Sequence, residues 1–484
     1  MLGFAERRHG YDCPEDGWAE QDAQEVWDLV RQLVKEALRL AAPAPPIEAV
    51  AVSVQGDAII PIDAAGNPLH AAILGMDTRS FGEAADLAER FGKGPLYSTT
   101  GMPCKPMTAI TKILWLERNR PELRAKLWKY VHYEEFLLMK LAGVPALNFT
   151  MASRTMAFDP VRKDWIPAIL EFVGITSAEL GNLTPSGMPV GIIRRAIADE
   201  WGIARSALLV SGGHNTCLAA VGSGVVDPGL GCYFMGTAEV IGTCFDSPRI
   251  SPAMLACNYP CYCHAVDGHY FTSTLNHGGG ISLEWFHGKL MERGENEDAS
   301  FEALLNEIRP WPSPVLFLPH LTGSGTPASD HTSRAAFIGM SLKTGRHDLL
   351  QAVADAQAFE ARLNLETLSD LGITVSQLRA VEWGARSNRL LELKATVLDR
   401  PIHIPRQPEA ALLGAAMLAQ TATGRFRNLS EASNECALIA RTVEPIQVAR
   451  QAYDDAFERY RHLYPALKSF YQNWRVEAHA PVLV

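Results

Sequence analysis

The apolar positions of the chain fall into two rhythms. Val26, Leu29, Val30, Leu33, Val34, Ala37 and Leu38 recur three and four apart, which predicts an amphipathic helix. Asp22 precedes it as an N-cap, and Pro43 with the Pro45–Pro46 pair stops it. Val50 to Val54 predicts a buried-type strand and Ala58 to Ile62 a second, with Gln55-Gly56-Asp57 between them and a turn from Asp63 to Pro68 after them. Ala71 to Leu74 then leads into Asp77-Thr78-Arg79. Helices are predicted around Lys112 to Leu116, with Trp115 and Leu116 in the core and Lys112 a surface or structural lysine, and over Tyr130 to Leu141 ahead of Gly143. A longer one covers Asp348 to Leu368, where Leu350, Val353, Ala354, Ala358 and Leu365 form a core-facing stripe. Residues 185–205 return through Gly191-Ile192-Ile193 to a helix ending near Gly202, and a last helix runs from Gln451 to Tyr464.

The most informative stretch lies between Ala207 and Cys244. An apolar strand from Ala207 to Val210 enters a Gly212-Gly213 turn, and a small-residue helix follows near Thr216 to Gly222. After the Asp227-Pro228-Gly229 turn, a strand from Cys232 to Met235 ends in Gly236-Thr237-Ala238. A glycine and a hydroxyl at a strand end suit a phosphate, because the backbone can approach closely and its N–H groups stay free. On local pattern alone, two strands of any α/β core with ordinary turns are the favoured reading. Asn276-His277-Gly278-Gly279-Gly280 opens a further helix, and glycines at a helix start can cradle phosphate or ribose.

Composition narrows the function classes. The 484 residues carry a formal net charge of −10, which argues against a nucleic-acid or anionic-membrane surface. No apolar run reaches spanning length. Nine scattered cysteines suit a reducing, cytoplasmic setting better than a disulfide framework. Cys257, Cys261, Cys263 and His264, with His269 nearby, lack the CxxC pair of a zinc site, so they read as cysteines of a hairpin turning at Asp267-Gly268, and no metal ligands are expected there.

From Asp16 onward, the order and spacing of motifs resemble the FGGY family of carbohydrate kinases. The resemblance rests on Gly17-Trp18-Ala19-Glu20-Gln21-Asp22, on Gly212-Gly213-His214-Asn215, on Gly236-Thr237-Ala238-Glu239 and on the Asn148–Met156 segment NFTMASRTM. It is extended by Leu318-Pro319-His320, by Ala336 to Met340, by Glu382-Trp383-Gly384-Ala385-Arg386-Ser387 and by the small-residue helix from Glu409 to Ala416. The resemblance implies a two-domain, actin-like (ribonuclease H-like) α/β fold of mixed sheets flanked by helices, divided between Ala204 and Ala207 into domains 1–205 and 206–484. It implies ATP with Mg2+ as phosphoryl donor, a small ketose or polyol as acceptor, and a site in the cleft between domains. No nucleic-acid or membrane partner is expected, and a homodimer is compatible with the chain.

The same resemblance assigns residues. Asn215 stands at the position of the family's catalytic Asp, with His214 beside it as a substitute base or, more simply, a structural residue. Gly56, Asp57, Asp77 and Arg79 fall at substrate-binding positions, although Asp77 and Arg79 read at least as well as a pair. Gly236, Thr237, Gly280, Glu284, Gly384, Ala385 and Asn388 fall at nucleotide-binding positions. Asn148 replaces a family Asp, and Glu382 and Trp383 replace two glycines of the adenosine turn, where the ring either blocks the adenine slot or stacks beside it. The strand, Gly-Thr turn and returning strand that open the family have no counterpart in residues 1–11, which implies a product that begins further upstream, with a decayed paralogue as the other explanation. An amide cannot accept a proton as a carboxylate does, so two readings stand: an ATP-dependent sugar kinase impaired in this chain, or a non-catalytic pseudokinase that binds sugar or nucleotide in a regulatory role.

Overall fold

The computed structural model describes residues 1–43, 45–290 and 297–474. Two main sheets organise them. The first contains β1 (Ala49–Val54), β2 (Pro189–Ile192) and β3 (Leu208–His214) in the order β2-β3-β1, with β3 parallel to β1 and antiparallel to β2. The pairing of β3 with β1 carries this sheet past the expected division at 205/206. The strand expected as buried is an edge strand, and residues 49–53 are only half-buried.

Gly212 and Gly213 are not a turn but the end of β3. A side chain on Gly212 would collide with the Val52 carbonyl of β1, so glycine permits the close approach of the two backbones. The register shifts between Val210 and Gly213, a bulge that re-aims the strand end where side chains of interest begin.

The second sheet has seven strands: β4 (Leu230–Met235), β5 (Glu239–Phe245), β6 (Tyr262–Cys263), β7 (Tyr270–Ser273), β8 (Gln377–Val381), β9 (Ile402–Pro405) and β10 (Ile439–Val443). Their order is β6-β7-β5-β4-β8-β9-β10, parallel at β4–β8 and β8–β9 and antiparallel elsewhere. Cys261 and Cys263 are buried on the β6–β7 hairpin, where His264 stacks on Phe271 at 5.0 Å.

Helices cover the sheets. In α1 (Ala23–Ala41) the Asp22 carboxylate accepts from the N–H groups of Gln24 and Glu25 at 2.7 and 3.1 Å, as its N-cap position requires. α2 (Ala109–Asn119), α3 (Tyr133–Ala142), α4 (Phe149–Arg154) and α5 (Asn215–Gly222) surround the first sheet. α6 (Gly280–Leu290), α7 (Arg346–Asp370) and α8 (Asn388–Leu398) pack on the second. The helix expected over 130–141 starts only at Tyr133, because Lys129–Val131 pairs as a short strand with Ile60–Ile62. α9 (Ala410–Ala422) comes late in the chain yet joins the first core. Side chains on Gly222 or Gly414 would collide with the Ala410 or Leu218 carbonyl, so small residues let α5 and α9 touch along their backbones. The last predicted helix is two, α10 (Arg450–Tyr460) and α11 (Leu463–Asn473).

Candidate active site

The parallel strands β1 and β3 end side by side, with Val54 opposite His214. Gly56 follows β1 and lies against the His214 ring, where a side chain would come within 2.9 Å of Nε2. Asp57 holds a φ of 66°, a region costly for a residue with a Cβ and often kept at functional sites. Its carboxylate is buried and pairs with Arg154 at the end of α4. Across from them stands Tyr262 of β6, whose ring lies 5.6 Å from the Arg154 guanidinium and 6.2 Å from the His214 ring. One polar group from each of these four residues is buried without a protein partner: Asp57 Oδ1, Arg154 Nε, His214 Nδ1 and the Tyr262 hydroxyl. Buried polar groups are normally hydrogen-bonded, so their convergence where the two sheets meet points to a polar ligand.

The surrounding framework fixes this cluster. Lys112, wholly buried, donates to the carbonyls of Asp57, Leu74 and Met107 at 2.8, 2.6 and 2.9 Å. Burial lowers its pKa to about 8 against the pull of Asp57 and Asp77. Glu134 of α3 receives the Asn148 amide at 2.7 Å on both oxygens and the Gly212 N–H at 3.1 Å. Thr150 donates to Asn148 Oδ1 and accepts the His214 N–H at 2.9 Å. These bonds run from α3 and α4 to the end of β3 and hold His214 in place. Burial, then Arg154, pushes His214 down to about 3, so the imidazole is neutral near pH 7. Its neighbour Asn215 is the first residue of α5 and is exposed, so the two side chains diverge.

A second group of residues surrounds the turn between β4 and β5. Gly236 is buried and Thr237 exposed. The turn is tied to the start of α6, since Gly280 N–H donates to Gly236 O and Ile281 N–H to Thr237 O, both at 3.0 Å. Beneath it lies a buried ionic triad. Lys394 Nζ donates to Glu239 Oε1 at 2.7 Å and to the Tyr233 hydroxyl at 2.9 Å, while that hydroxyl donates to Glu239 Oε2 at 2.8 Å. Gly384 packs on the Met235 backbone, and Ala385 is buried beside it. Asn388 is exposed and accepts from Arg441 Nη1 at 2.6 Å, and Glu284 is exposed on α6.

Glu382 and Trp383 alter this end of the site. Glu382 has φ 72° and ψ −172°, a region essentially reserved for glycine. Its carboxylate lies over Gly236, where a side chain on the glycine would strike Oε2. Part of Glu382 faces solvent, yet crowding around the carboxyl, then Glu239, raises it to about 7. The Trp383 ring covers Gly280 and lies 5.7 Å from Phe301.

The N-terminal-domain pattern of the FGGY family of carbohydrate kinases matches residues 1–222, and the C-terminal-domain pattern matches residues 231–423. The chain belongs to the FGGY family of carbohydrate kinases. Xylulose kinase of Bacillus subtilis (strain 168) is 25% identical over 471 residues, covering 94% of this chain and 92% of its own. Gluconokinase of the same organism is 24% identical over 463 residues, covering 93% and 87%. The crystal structure of a "xyloylose kinase" from Brucella ovis superposes with a TM-score of 0.85 at 28% identity, covering 95% of this chain and 93% of the other. The FGGY chain accordingly has the two-domain actin-like ATPase fold.

Within this FGGY fold the expected residues separate into three groups. Gly56, Asp57 and His214 come together, and Gly236, Thr237, Gly280, Gly384 and Ala385 gather around the other turn. Asp77 and Arg79, at substrate positions by resemblance but read in the sequence at least as well as a pair, are enclosed and bound to one another at 2.7 Å. Arg79 also pairs with Glu20 at 2.7 Å and lies 3.7 Å from the Trp18 ring centroid, so its donors serve the packing of the Gly17–Asp22 segment. Arg154 and Tyr262 were missed. Arg154 lies inside the NFTMASRTM segment that carries the resemblance, a signal that could have found it.

Proposed function

We propose that this FGGY kinase transfers the γ-phosphoryl group of ATP to a hydroxyl of a small sugar or polyol held among Asp57, Arg154 and His214. The observation that carries this is the cluster of buried, unpartnered polar groups at the ends of β1 and β3, in a chain that matches both FGGY domains. Thr237 and the N–H groups of the β4–β5 turn are the phosphate contacts in this reading, with Glu382 and Trp383 bordering the nucleotide. Magnesium would arrive with the nucleotide and screen its phosphate charge, as it does where one or two carboxylates and the phosphates share the ion.

Phosphoryl transfer passes through a loose transition state that leaves the protein mainly positioning and electrostatic work. The Asn215 amide can orient a hydroxyl but cannot take its proton, and neutral His214 is a weak base at a pKa of about 3. General-base help is worth ~10²–10⁴ in rate, so this chain turns over slowly for a sugar kinase. The comparisons lend no support to the non-catalytic reading. No helix among the described residues is long and apolar enough to cross a membrane, and we place the enzyme in the cytoplasm. A coupled ADP-release assay over ketoses, polyols and sugar acids should show acceptor-dependent turnover. Its absence in the folded protein, and again in Asn215→Asp, would overturn the kinase reading.

A further inference from the structure

Three of the four unpartnered groups at the sugar end belong to the first half of the chain: Asp57 and His214 beyond β1 and at the end of β3, and Arg154 at the end of α4. The fourth, the Tyr262 hydroxyl, comes from β6 of the second sheet. Backbone contacts on both sides of Tyr262 hold it there. Cys261 N–H donates to Gly101 O at 2.7 Å, and Cys263 N–H donates to Ser153 Oγ at 3.2 Å. Ser153 directly precedes Arg154, so the bond that docks β6 also ties it to the residue bearing the guanidinium. A side chain on Gly101 would collide with the Cys261 carbonyl, so the two backbones meet as closely as glycine permits. The Tyr262 ring packs against Phe271 at 5.6 Å between centroids, with 62° between the planes. It lies 5.6 Å from the Arg154 guanidinium and 6.2 Å from the His214 ring, at 71° to the latter.

Packing therefore fixes the ring, and the hydroxyl takes no part in it. The side chain is wholly buried, yet its hydroxyl bonds to nothing in the protein. Burial raises its pKa, and Ser273 of β7, near enough to oppose that shift, lies outside bonding geometry. The phenol keeps its proton and can both donate and accept. A buried hydroxyl without a partner costs stability, whereas phenylalanine would fill the same space without that cost. The other unpartnered groups make complementary demands: Asp57 Oδ1 only accepts and Arg154 Nε only donates. Successive hydroxyls of one sugar or polyol meet both demands, since each can give and take a hydrogen bond.

We infer that Tyr262 is an acceptor-binding residue whose hydroxyl bonds to one hydroxyl of the sugar or polyol from the second sheet, while Asp57, Arg154 and His214 bind it from the first. The inference rests on the kinase reading above and names a specificity-determining residue for it. An acceptor that lacks the matching hydroxyl leaves the phenol buried and unpaired, and is selected against for that reason. Tyr262 binds and orients the acceptor; it takes no proton from the reacting hydroxyl.

The test measures binding to the whole chain by calorimetry, without nucleotide, using D-xylulose, D-ribulose, glycerol and D-gluconate. The tightest of these is then compared with analogues in which each hydroxyl in turn is replaced by hydrogen. Tyr262→Phe should weaken the parent compound by about tenfold, the scale of one hydrogen bond between neutral groups. One deoxy analogue should lose a similar factor on the wild-type protein and lose nothing further on Tyr262→Phe, because the two changes remove the same bond. The thermal midpoint of the ligand-free protein should hold or rise in Tyr262→Phe, and Ser273→Ala should leave acceptor affinity unchanged. In turnover, Tyr262→Phe should raise the KM for the acceptor and leave the KM for ATP within about twofold. Unchanged affinity in Tyr262→Phe overturns the inference, as does an equal further loss for every deoxy analogue. A lower thermal midpoint or loss of folded protein overturns it as well, since the hydroxyl would then be holding the hairpin. A raised KM for ATP with the acceptor spared assigns Tyr262 to the nucleotide, and the inference falls. Turnover of an acceptor indifferent to Tyr262→Phe sinks this inference alone; no binding and no acceptor-dependent turnover across the panel sinks the kinase reading with it.

Discussion

Replacing Glu382 should improve nucleotide binding, and two variants separate the reasons. In Glu382→Gly the residue at φ 72°, ψ −172° becomes the one type that adopts this conformation without strain. Relief of about 1–3 kcal/mol is set against roughly 0.5–1 kcal/mol for the extra freedom of glycine in the unfolded chain, leaving a net gain of about 1 kcal/mol in stability. Glu382→Gln keeps the strain and removes only the charge. A carboxylate over Gly236 and a phosphate at the same turn, taken as ~6 Å apart in an effective dielectric of about 20, repel by about 3 kcal/mol before salt screening, enough for a tenfold to hundredfold effect on affinity. With Glu382 at about 7, the wild-type carboxylate is mostly protonated at pH 6 and mostly ionised at pH 8. The KM for ATP should therefore rise across that interval beyond the change due to ATP itself. Glu382→Gln should abolish the pH-dependent part, and Glu382→Gly should abolish it and raise the midpoint of thermal unfolding as well. Steady-state kinetics at pH 6, 7 and 8 and thermal melts suffice. An unchanged KM and pH profile in Glu382→Gln would refute the proposed overlap between this carboxylate and the phosphates.

Three other outcomes are expected. Asn215→Asp supplies a proton acceptor where an amide now stands, and kcat in the ADP-release assay should rise by ~10²–10⁴; no rise would show that this position does not face the reacting oxygen. Lys394→Met leaves Glu239 and the Tyr233 hydroxyl buried without their cation, at a cost of about 3–5 kcal/mol, read as a loss of denaturant resistance that Lys394→Met with Glu239→Gln should partly recover. Gly212→Ala drives a methyl group into the Val52 carbonyl and should part β1 from β3, detected as loss of soluble folded protein; normal folding would mean that the two strands tolerate a wider spacing.

Much of the fold was legible because it is written locally. Asp22 as N-cap and Gly143 and Gly202 as left-handed helix ends follow from the neighbouring residues alone. The Gly236-Thr237 turn after an apolar strand is equally local. Local pattern failed where two elements share an apolar run. Lys129–Val131 merged with the helix that follows because three residues carry no period of their own, and only pairing with Ile60–Ile62 makes them a strand. The Gly212-Gly213 pair read as a turn because glycine signals both a turn and a close approach, and the Val52 backbone decides between them.

The chemistry of the cleft depends on distance in space rather than along the chain. Arg154 meets Asp57 across 97 residues, Lys394 meets Glu239 across 155 and Lys105 meets Ser329 across 224. The order of amino acids was enough for most of the elements, several of their caps and the sequence of motifs. Folding in three dimensions settled that Asp57 pairs with Arg154 and Glu239 with Lys394, and that Glu382 lies over Gly236. A side chain's partner and its access to water are set by sheet register and by how the two halves meet, and neither is encoded in any short window.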